Sequence, residues 1–251
     1  LAGGEKMAVI GIDLGTTNSL AGVWQDGKVV LIPNAFGEYL TPSVVGIGKN
    51  QEVFVGSVAK EMLATQPYDT FREFKRNMGT NFLYGNGRKK YRAEELSAFV
   101  LRRLKEDAEK FLGEEVTEAV ISVPAYFDDN KRNATKNAGR LAGLKVERLI
   151  NEPSAVALKH HTAEKGAESF IVFDFGGGTL DVSLVEAFDN VVEIQAVAGD
   201  NYLGGKDFNE IIAQDFYEQN QISEAYLTKN EQENVLKEAE AVKKELTDKN
   251  E

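Results

Sequence analysis

Two stretches of this chain carry residue types suited to phosphate chemistry. At 10–19 it reads IGIDLGTTNS and at 172–183 VFDFGGGTLDVS. In each, an apolar run ends on an aspartate, a glycine turn opens onto threonine, and a β-rich run resumes. A turn rich in Gly and Thr presents successive backbone N–H groups into a concavity that suits phosphate oxygens, and Thr16, Thr17 and Thr179 add hydroxyl donors. Asp13 and Asp174 would repel a phosphate set directly against them. A hard cation between carboxylate and phosphate resolves this, and Mg²⁺ acting through its waters fits best. One such turn alone is as readily an ordinary glycine-rich hairpin. Two of them, facing one another, would clamp one nucleotide.

Two further glycine motifs fail as nucleotide signatures. GDNYLGGKDF (199–208) has Asp200 where a P-loop needs its first glycine and Asp207 where it needs a Mg²⁺-binding Ser or Thr. GGGTLD lacks the third glycine of a dinucleotide fingerprint and leads into a strand where that fingerprint demands a helix, which argues against a nicotinamide enzyme.

Composition narrows the classes further. A chain of 251 residues, 42% hydrophobic and 27% charged, can bury a sizeable core in two modules or one large one. Its net charge of −11, with 29 Lys and Arg gathered into no basic block, argues against a nucleic-acid partner. With no cysteine, disulfides, thiol catalysis and Cys-ligated zinc drop out, and His160 and His161 are the only imidazoles. No apolar run reaches membrane-spanning length, and LAGGEKM lacks a signal-peptide core, so a cytoplasmic protein without membrane contact is expected and the start is read as a frayed end.

The elements that must position these residues follow from local patterns. MAVIGI (7–12) reads as a buried strand, and 19–32 as a hairpin turning at Asp26-Gly27. The second copy repeats this: a strand at 170–173, the glycine loop, a strand over 179–188, an Asp189-Asn190 turn and a strand over 191–199. Between the copies, Leu96, Val100, Leu104, Ala108 and Phe111 predict a core-facing helix that Gly113 closes. A strand from 118 broken at Pro124, a helix over 128–143, a strand at KVERLI and a helix from Pro153 complete an α/β layout. Residues 41–91 have no strong periodicity and read as an inserted subdomain.

In order along the chain, IGIDLGTTNS, YLTPS, FKRNMG, ISVPAYF, NEPSAVA, FDFGGGTLDVS and GDNYLGGKDF resemble the ATPase domain of the DnaK-type, seventy-kilodalton heat-shock chaperones, from about residue 8 to the end. FGEYLTPS, FKRNMG and the short 41–98 segment are most similar to the HscC branch. The resemblance implies an actin-like, ribonuclease-H-like α/β fold of two lobes around a nucleotide cleft. Lobe I would span 1–165 with an insertion at about 41–98. Residues 166–251 would form the first part of lobe II, its upper subdomain beginning near 205 and the lobe incomplete at Glu251.

By the same resemblance, ATP or ADP is bound with Mg²⁺ and K⁺ beside Asp13 and Asp174. Gly15, Thr16, Thr17 and Asn18 form one phosphate loop and Gly176, Gly177, Gly178 and Thr179 the other, with Gly204 and Gly205 nearby. Lys75 would reach the γ-phosphate and attacking water, Glu152 would organise Mg²⁺ waters, and Asp181 would stand near the nucleophilic water. Read alone, Lys75-Arg76 is a solvated basic pair and Glu152 a helix-start acid. Pro124 and Arg132 match the relay from nucleotide site to client domain, though Pro124 alone reads as a strand terminator. Over 231–251 a helix with Val235, Ala239, Val242 and Leu246 on its apolar stripe sets Glu240, Lys243, Lys244 and Thr247 on one polar face, matching the adenosine clamp. Lysine in place of arginine at Lys244 removes a planar guanidinium for stacking. Client peptides would be held by a domain beyond Glu251, assisted by a J-domain cochaperone and an exchange factor. A sugar or acetate kinase of the same fold and an actin-like scaffold are the competing readings.

Overall fold

The computed structural model describes residues 8–85, 89–160, 166–189 and 191–248, with the side chains of 247 and 248 left aside. The expected frayed start (1–7), His161 and Asn190 lie outside the described residues. The chain opens with β1 (Ala8–Leu14), β2 (Asn18–Gln25) and β3 (Lys28–Ile32). In β1, Ile10, Ile12 and Leu14 are buried while their neighbours point away, the alternation of a strand with one covered face. Asp26 and Gly27 both take left-handed φ values, 51° and 77°, which a two-residue hairpin turn requires for strands of right-handed twist.

The segment without periodicity folds as β4 (Thr41–Pro42), β5 (Val44–Ile47), β6 (Val53–Val55), α1 (Ser57–Thr65), β7 (Thr70–Arg72) and a 3-10 turn over Phe74–Asn77. Its strands are too short for a period to register. β5, β6 and β7 form a small antiparallel sheet, but Val45, Ile47, Phe71, Phe74 and Met78 join the same buried cluster as Ile10 and Ile12. The 3-10 turn is thereby anchored to the main core by Phe74 and Met78, 2% and 0% exposed.

Next come α2 (Ala93–Leu112), β8 (Val116–Val123), α3 (Asp129–Leu141), β9 (Lys145–Asn151) and α4 (Glu152–His160). α2 buries Leu96, Val100, Leu104 and Ala108 and ends on Gly113 at φ 72°. Phe111, expected on the same face, is 43% exposed, while Leu112 beside it packs on the core, so Phe111 lies at the margin of the covered face. β8 stops before Pro124, and Asp128 caps α3 by accepting the Lys131 N–H at 2.9 Å. α4 begins at Glu152, so Pro153 sits in the first turn, where its missing N–H costs nothing. The main sheet runs β3-β2-β1-β8-β9, with β1–β8 and β8–β9 parallel and the remaining pairs antiparallel.

The second copy of the motif forms its own sheet: β10 (Glu168–Phe175), β11 (Leu180–Phe188) and β12 (Val191–Asp200), all antiparallel. α5 (Gly205–Gln219) and α6 (Lys229–Asp248) follow and pack through Ala213, Tyr217 and Ala239. On α6 the expected stripe is buried at Ala239, while Val242 and Leu246 are 47% and 55% exposed, so the face that α5 covers is narrower than the stripe. Among the described residues no helix is long and apolar enough to cross a membrane.

The packing of α2 supports a direct test. Leu101→Ala removes a fully buried side chain and should cost about 2–5 kcal/mol in denaturant melts. Phe111→Ala should change stability by less than about 1 kcal/mol.

Candidate functional site

β1 delivers Asp13 to the edge of a cavity, and the parallel register pairs it with Ser122 on β8. The Ser122 hydroxyl donates to Asp13 Oδ1 at 2.7 Å, fixing the carboxylate. The chain then turns tightly at Gly15, where a Cβ would overlap the Asn18 carbonyl oxygen. The Gly15 carbonyl accepts from Ser43 Oγ at 2.8 Å, and the Thr17 carbonyl accepts from the Ser43 N–H at 2.8 Å. Those bonds hold Thr16 and Thr17 in place.

The second turn is built by β10 and β11, whose register sets Asp174 opposite Asp181. Gly176 N–H donates to the Thr179 carbonyl at 2.9 Å and closes the turn. Side chains are excluded along it: a Cβ at Gly177 would overlap Thr17, and one at Gly178 would meet Arg76 at 2.8 Å. A Cβ at Gly204 would overlap the Gly178 backbone. The two glycine turns therefore touch each other, and α5 rests its start on the second. The Gly205 and Lys206 N–H groups donate to the carbonyls of Gly176 and Gly177 at 3.0 and 2.9 Å. Asp207, out of place in a P-loop, accepts the Gly204 N–H at 2.6 Å and caps α5.

A cavity of about 780 Å³ lies beside this contact, lined by Asp13, Gly15, Thr16, Thr17 and Asn18, by Gly176, Gly177 and Thr179, and by Lys75, Pro124, Glu152 and Asp174. Gly178 and Asp181 are not part of that lining. Lys75, only 8% exposed, projects from the 3-10 turn and donates to Glu152 Oε1 at 2.9 Å, its ammonium 5.8 Å from the Phe127 ring centre. Arg76 is 14% exposed, donates to the Gly178 carbonyl and lies 5.8 Å from the Tyr202 ring centre. The reading of these two cations as a solvated pair is thus overturned. Their turn is pinned from below by Phe74, so both point inward.

Electrostatics in the cavity are lopsided. Burial pushes the Glu152 carboxyl up, Lys75 opposes this, and Asp13 and Asp174 add to it. Asp181 is pushed up to about 6 by burial and then by the charges of Glu152 and Asp174, against a hydrogen bond from Thr179. Burial, Asp181 and Glu152 also push the Tyr126 hydroxyl up. Among the described residues no three His, Cys, Asp or Glu side chains gather closely enough to cage a metal ion. Asp13 and Asp174 could each contribute to holding one whose other ligands come from elsewhere.

Pro124 closes β8 at the cavity wall. Arg132, one turn into α3, donates to the Phe127 carbonyl at 2.8 Å and to Asn151 Oδ1 at 2.7 Å, tying the segment after Pro124 to the residue preceding Glu152. Glu240, Lys243 and Lys244 line a second cavity of about 400 Å³, which shares Thr16, Thr17, Asn18 and Gly177 with the first and adds Gly205. Burial raises the Glu240 carboxyl, but hydrogen bonds from Lys244 and Lys60 outweigh it and bring it down to about 2. Lys60 reaches Glu240 at 2.9 Å and Lys244 at 2.7 Å. Lys243 donates to the Gly205 carbonyl, and burial lowers its ammonium. The Thr247 side chain lies outside the described residues.

Sequence reasoning missed several of these residues. Ser122 and Tyr126 stood inside ISVPAYF, and Lys206 inside LGGKDF, without a distinguishing signal. Lys60, Arg72 and Glu73 carried none, because their partners Glu240, Glu233 and Lys206 are more than 130 positions away.

A family model described as Hsp70 protein matches residues 9–86 and 83–251. The mixed sheet and alternating helices fit the actin-like ATPase fold of that family.

The raised Asp181 carboxyl predicts a pH dependence with a fixed sign. Because the folded protein holds this proton more tightly than the unfolded chain does, the penalty appears as pH rises from about 4 to about 6 and persists above. Asp181→Asn should therefore raise the melting temperature at pH 7.5 by roughly 2–5 °C in chelator, and leave it nearly unchanged at pH 4. An equal shift at both pH values would refute the repulsion.

Proposed function

This chain belongs to the Hsp70 family, and on that premise we propose that it binds ATP with Mg²⁺ where the two glycine turns meet and hydrolyses it to ADP and phosphate. The observation that carries this reading is the convergence of Asp13, Lys75, Glu152, Asp174 and both turns on a single cavity. A second cavity that shares Thr16, Thr17 and Gly177 with it and is lined by Glu240, Lys243 and Lys244 suits a ligand with a polyphosphate end and a nucleoside end. Phosphate oxygens would be held by backbone N–H groups of the turns and the hydroxyls of Thr16, Thr17 and Thr179.

The carboxylates fit a cation that is held mainly through water and phosphate. Asp13 and Asp174 come from different sheets onto one cavity, no protein cage forms among the described residues, and Asp174 already repels Asp181. When bound, Mg²⁺ neutralises charge on the phosphates. K⁺ would sit beside the same two carboxylates.

Hydrolysis is then a problem of positioning and charge. Lys75 supplies an ammonium for charge developing on the γ-phosphate. Glu152, tethered to that ammonium, and Asp181, held by Thr179, provide acceptors that orient a water in line. Arg132 ties the segment after Pro124 to the end of β9, so a shift at Glu152 reaches the wall at Pro124. We read this as the start of a relay to a client-peptide domain, with a J-domain cochaperone and an exchange factor as further partners, in a cytoplasmic chaperone of the HscC branch.

Lys75→Ala should lower single-turnover ATP hydrolysis by about 100-fold or more while ATP affinity changes by less than about tenfold. Equal losses in both would make Lys75 a ground-state clamp. ADP formation that depends on added sugar or acetate would favour a kinase, and nucleotide-dependent light scattering a filament-forming scaffold.

Asp13→Asn and Asp174→Asn should each weaken ATP binding in magnesium by about tenfold or more, because a neutral amide cannot balance the cation's charge. Calorimetric titration checks this. Wild-type binding that is as tight in excess chelator as in magnesium would rule out the proposed cation role.

A further inference from the structure

The turn that carries Lys75 is held by a residue that no motif pointed to. Glu73 immediately precedes it and adopts φ 57°, ψ 19°, a left-handed conformation that costs a non-glycine residue free energy and persists only where surroundings enforce it. Three cations surround its carboxylate: Arg76 at 3.2 Å, Arg72 at 3.8 Å and Lys206 at 2.8 Å. The first two belong to the same segment. Lys206 does not: it comes from the first turn of α5, which follows the second sheet. A lysine there faces the positive end of the helix dipole, and its other carboxylate, Glu210, is 3.9 Å away. The Glu73 contact is the shorter and offsets that repulsion.

Arg76 makes the same connection by a second route. It donates to the Gly178 carbonyl, packs against Tyr202 and keeps its buried Nε without a hydrogen-bond partner. The Lys206 N–H in turn donates to the Gly177 carbonyl at 2.9 Å. Lys206 and Arg76 therefore grip neighbouring carbonyls of one glycine turn while both hold Glu73.

We propose that Glu73 is a positioning residue: through Lys206 and Arg76 it locks the turn bearing Lys75 to the second glycine turn, so that the placement of the Lys75 ammonium follows the start of α5. This rests on reading the cavity as a nucleotide site for its effect on hydrolysis. The mechanical coupling stands apart from that reading and can be measured without nucleotide.

Amide hydrogen exchange on the whole chain provides the test. The Arg76 N–H donates to the Glu73 carbonyl at 3.1 Å and the Met78 N–H to the Lys75 carbonyl at 3.2 Å, so both report on the turn. In nucleotide-free protein, Lys206→Met and Glu73→Gln should each speed exchange at these amides about fivefold. The double variant should add nothing to the larger single effect, Lys206→Arg should match wild type, and α2 amides should stay protected, showing an intact fold. With ATP, Lys206→Met should lower single-turnover hydrolysis severalfold while affinity stays within threefold. Unchanged exchange at Arg76 and Met78, or additive single effects, overturns the proposal. The exchange pattern in a wild-type protein that binds no ATP supports the coupling and refutes the nucleotide site.

Discussion

Four carboxylates share the neighbourhood of one buried ammonium, and the rest of the site is arranged around that imbalance. Asp13, Glu152, Asp174 and Asp181 approach from two sheets and a helix start, while Lys75 pairs directly with one of them, Glu152 at 2.9 Å. Burial first, and then the neighbouring carboxylates, push the Glu152 and Asp181 carboxyls up. Such an arrangement persists because rigid ladders hold it. The β1–β8 register gives Asp13 the Ser122 hydroxyl, and the β10–β11 register sets Asp181 across from Asp174 and within reach of Thr179. The ladders fix the backbone, and the Ser122 and Thr179 hydroxyls orient the Asp13 and Asp181 carboxylates on it. On the proposed function, such a cavity would be preorganised for a cation and a polyanion together, the condition under which fixed charges contribute most to catalysis.

The glycines impose the second constraint. Gly177 lies against Thr17, Gly178 against Arg76 and Thr16, and Gly204 against the Gly178 backbone. A side chain at Gly177 would drive the turns apart, one at Gly204 would lift α5 from its seat, and one at Gly178 would displace the Arg76 guanidinium. With α5 seated, the two N–H groups that start the helix are used on the carbonyls of Gly176 and Gly177. Those donors shape the turn, so on the proposed function phosphate would be recognised by other groups of the turns and by the threonine hydroxyls. Close approach of backbone is what links the glycine motif to the chemistry.

How much of this was legible follows from the range of each interaction. The apolar run, aspartate, glycine and threonine sequence is local, and both turns, their flanking strands and the hairpin at Asp26-Gly27 could be read directly. Lys75 and Glu152 are 77 positions apart, and nothing local distinguishes either from a surface ion; only the order of motifs raised them. Ser122 is one small polar residue in an apolar strand. Glu73 and Lys206 become partners only when α5 lies across the 3-10 turn, a tertiary fact that leaves no period in the sequence. The misplaced apolar positions, Phe111 and Val242, have the opposite cause: helical spacing marks a face, but how much of that face a neighbour covers is set by tertiary packing.

The net charge of −11 also takes on meaning once the cations are placed. Lys60, Arg72, Lys75, Arg76, Lys206 and Lys244 all border the two cavities, and each is held by a glutamate: Glu240, Glu233, Glu152, Glu73, Glu73 and Glu240 in turn. An acidic chain has concentrated positive charge where a polyanion would enter and has kept that charge neutralised by its own carboxylates. On the proposed function, a phosphate oxygen arriving beside Lys75 competes with Glu152 for one ammonium. A glutamate partly released from that pair, raised in pKa by its burial, is a better acceptor for a water proton than one locked in a full ion pair. The same contact that steadies the site without ligand would thereby set the basicity of the group that the ligand needs next.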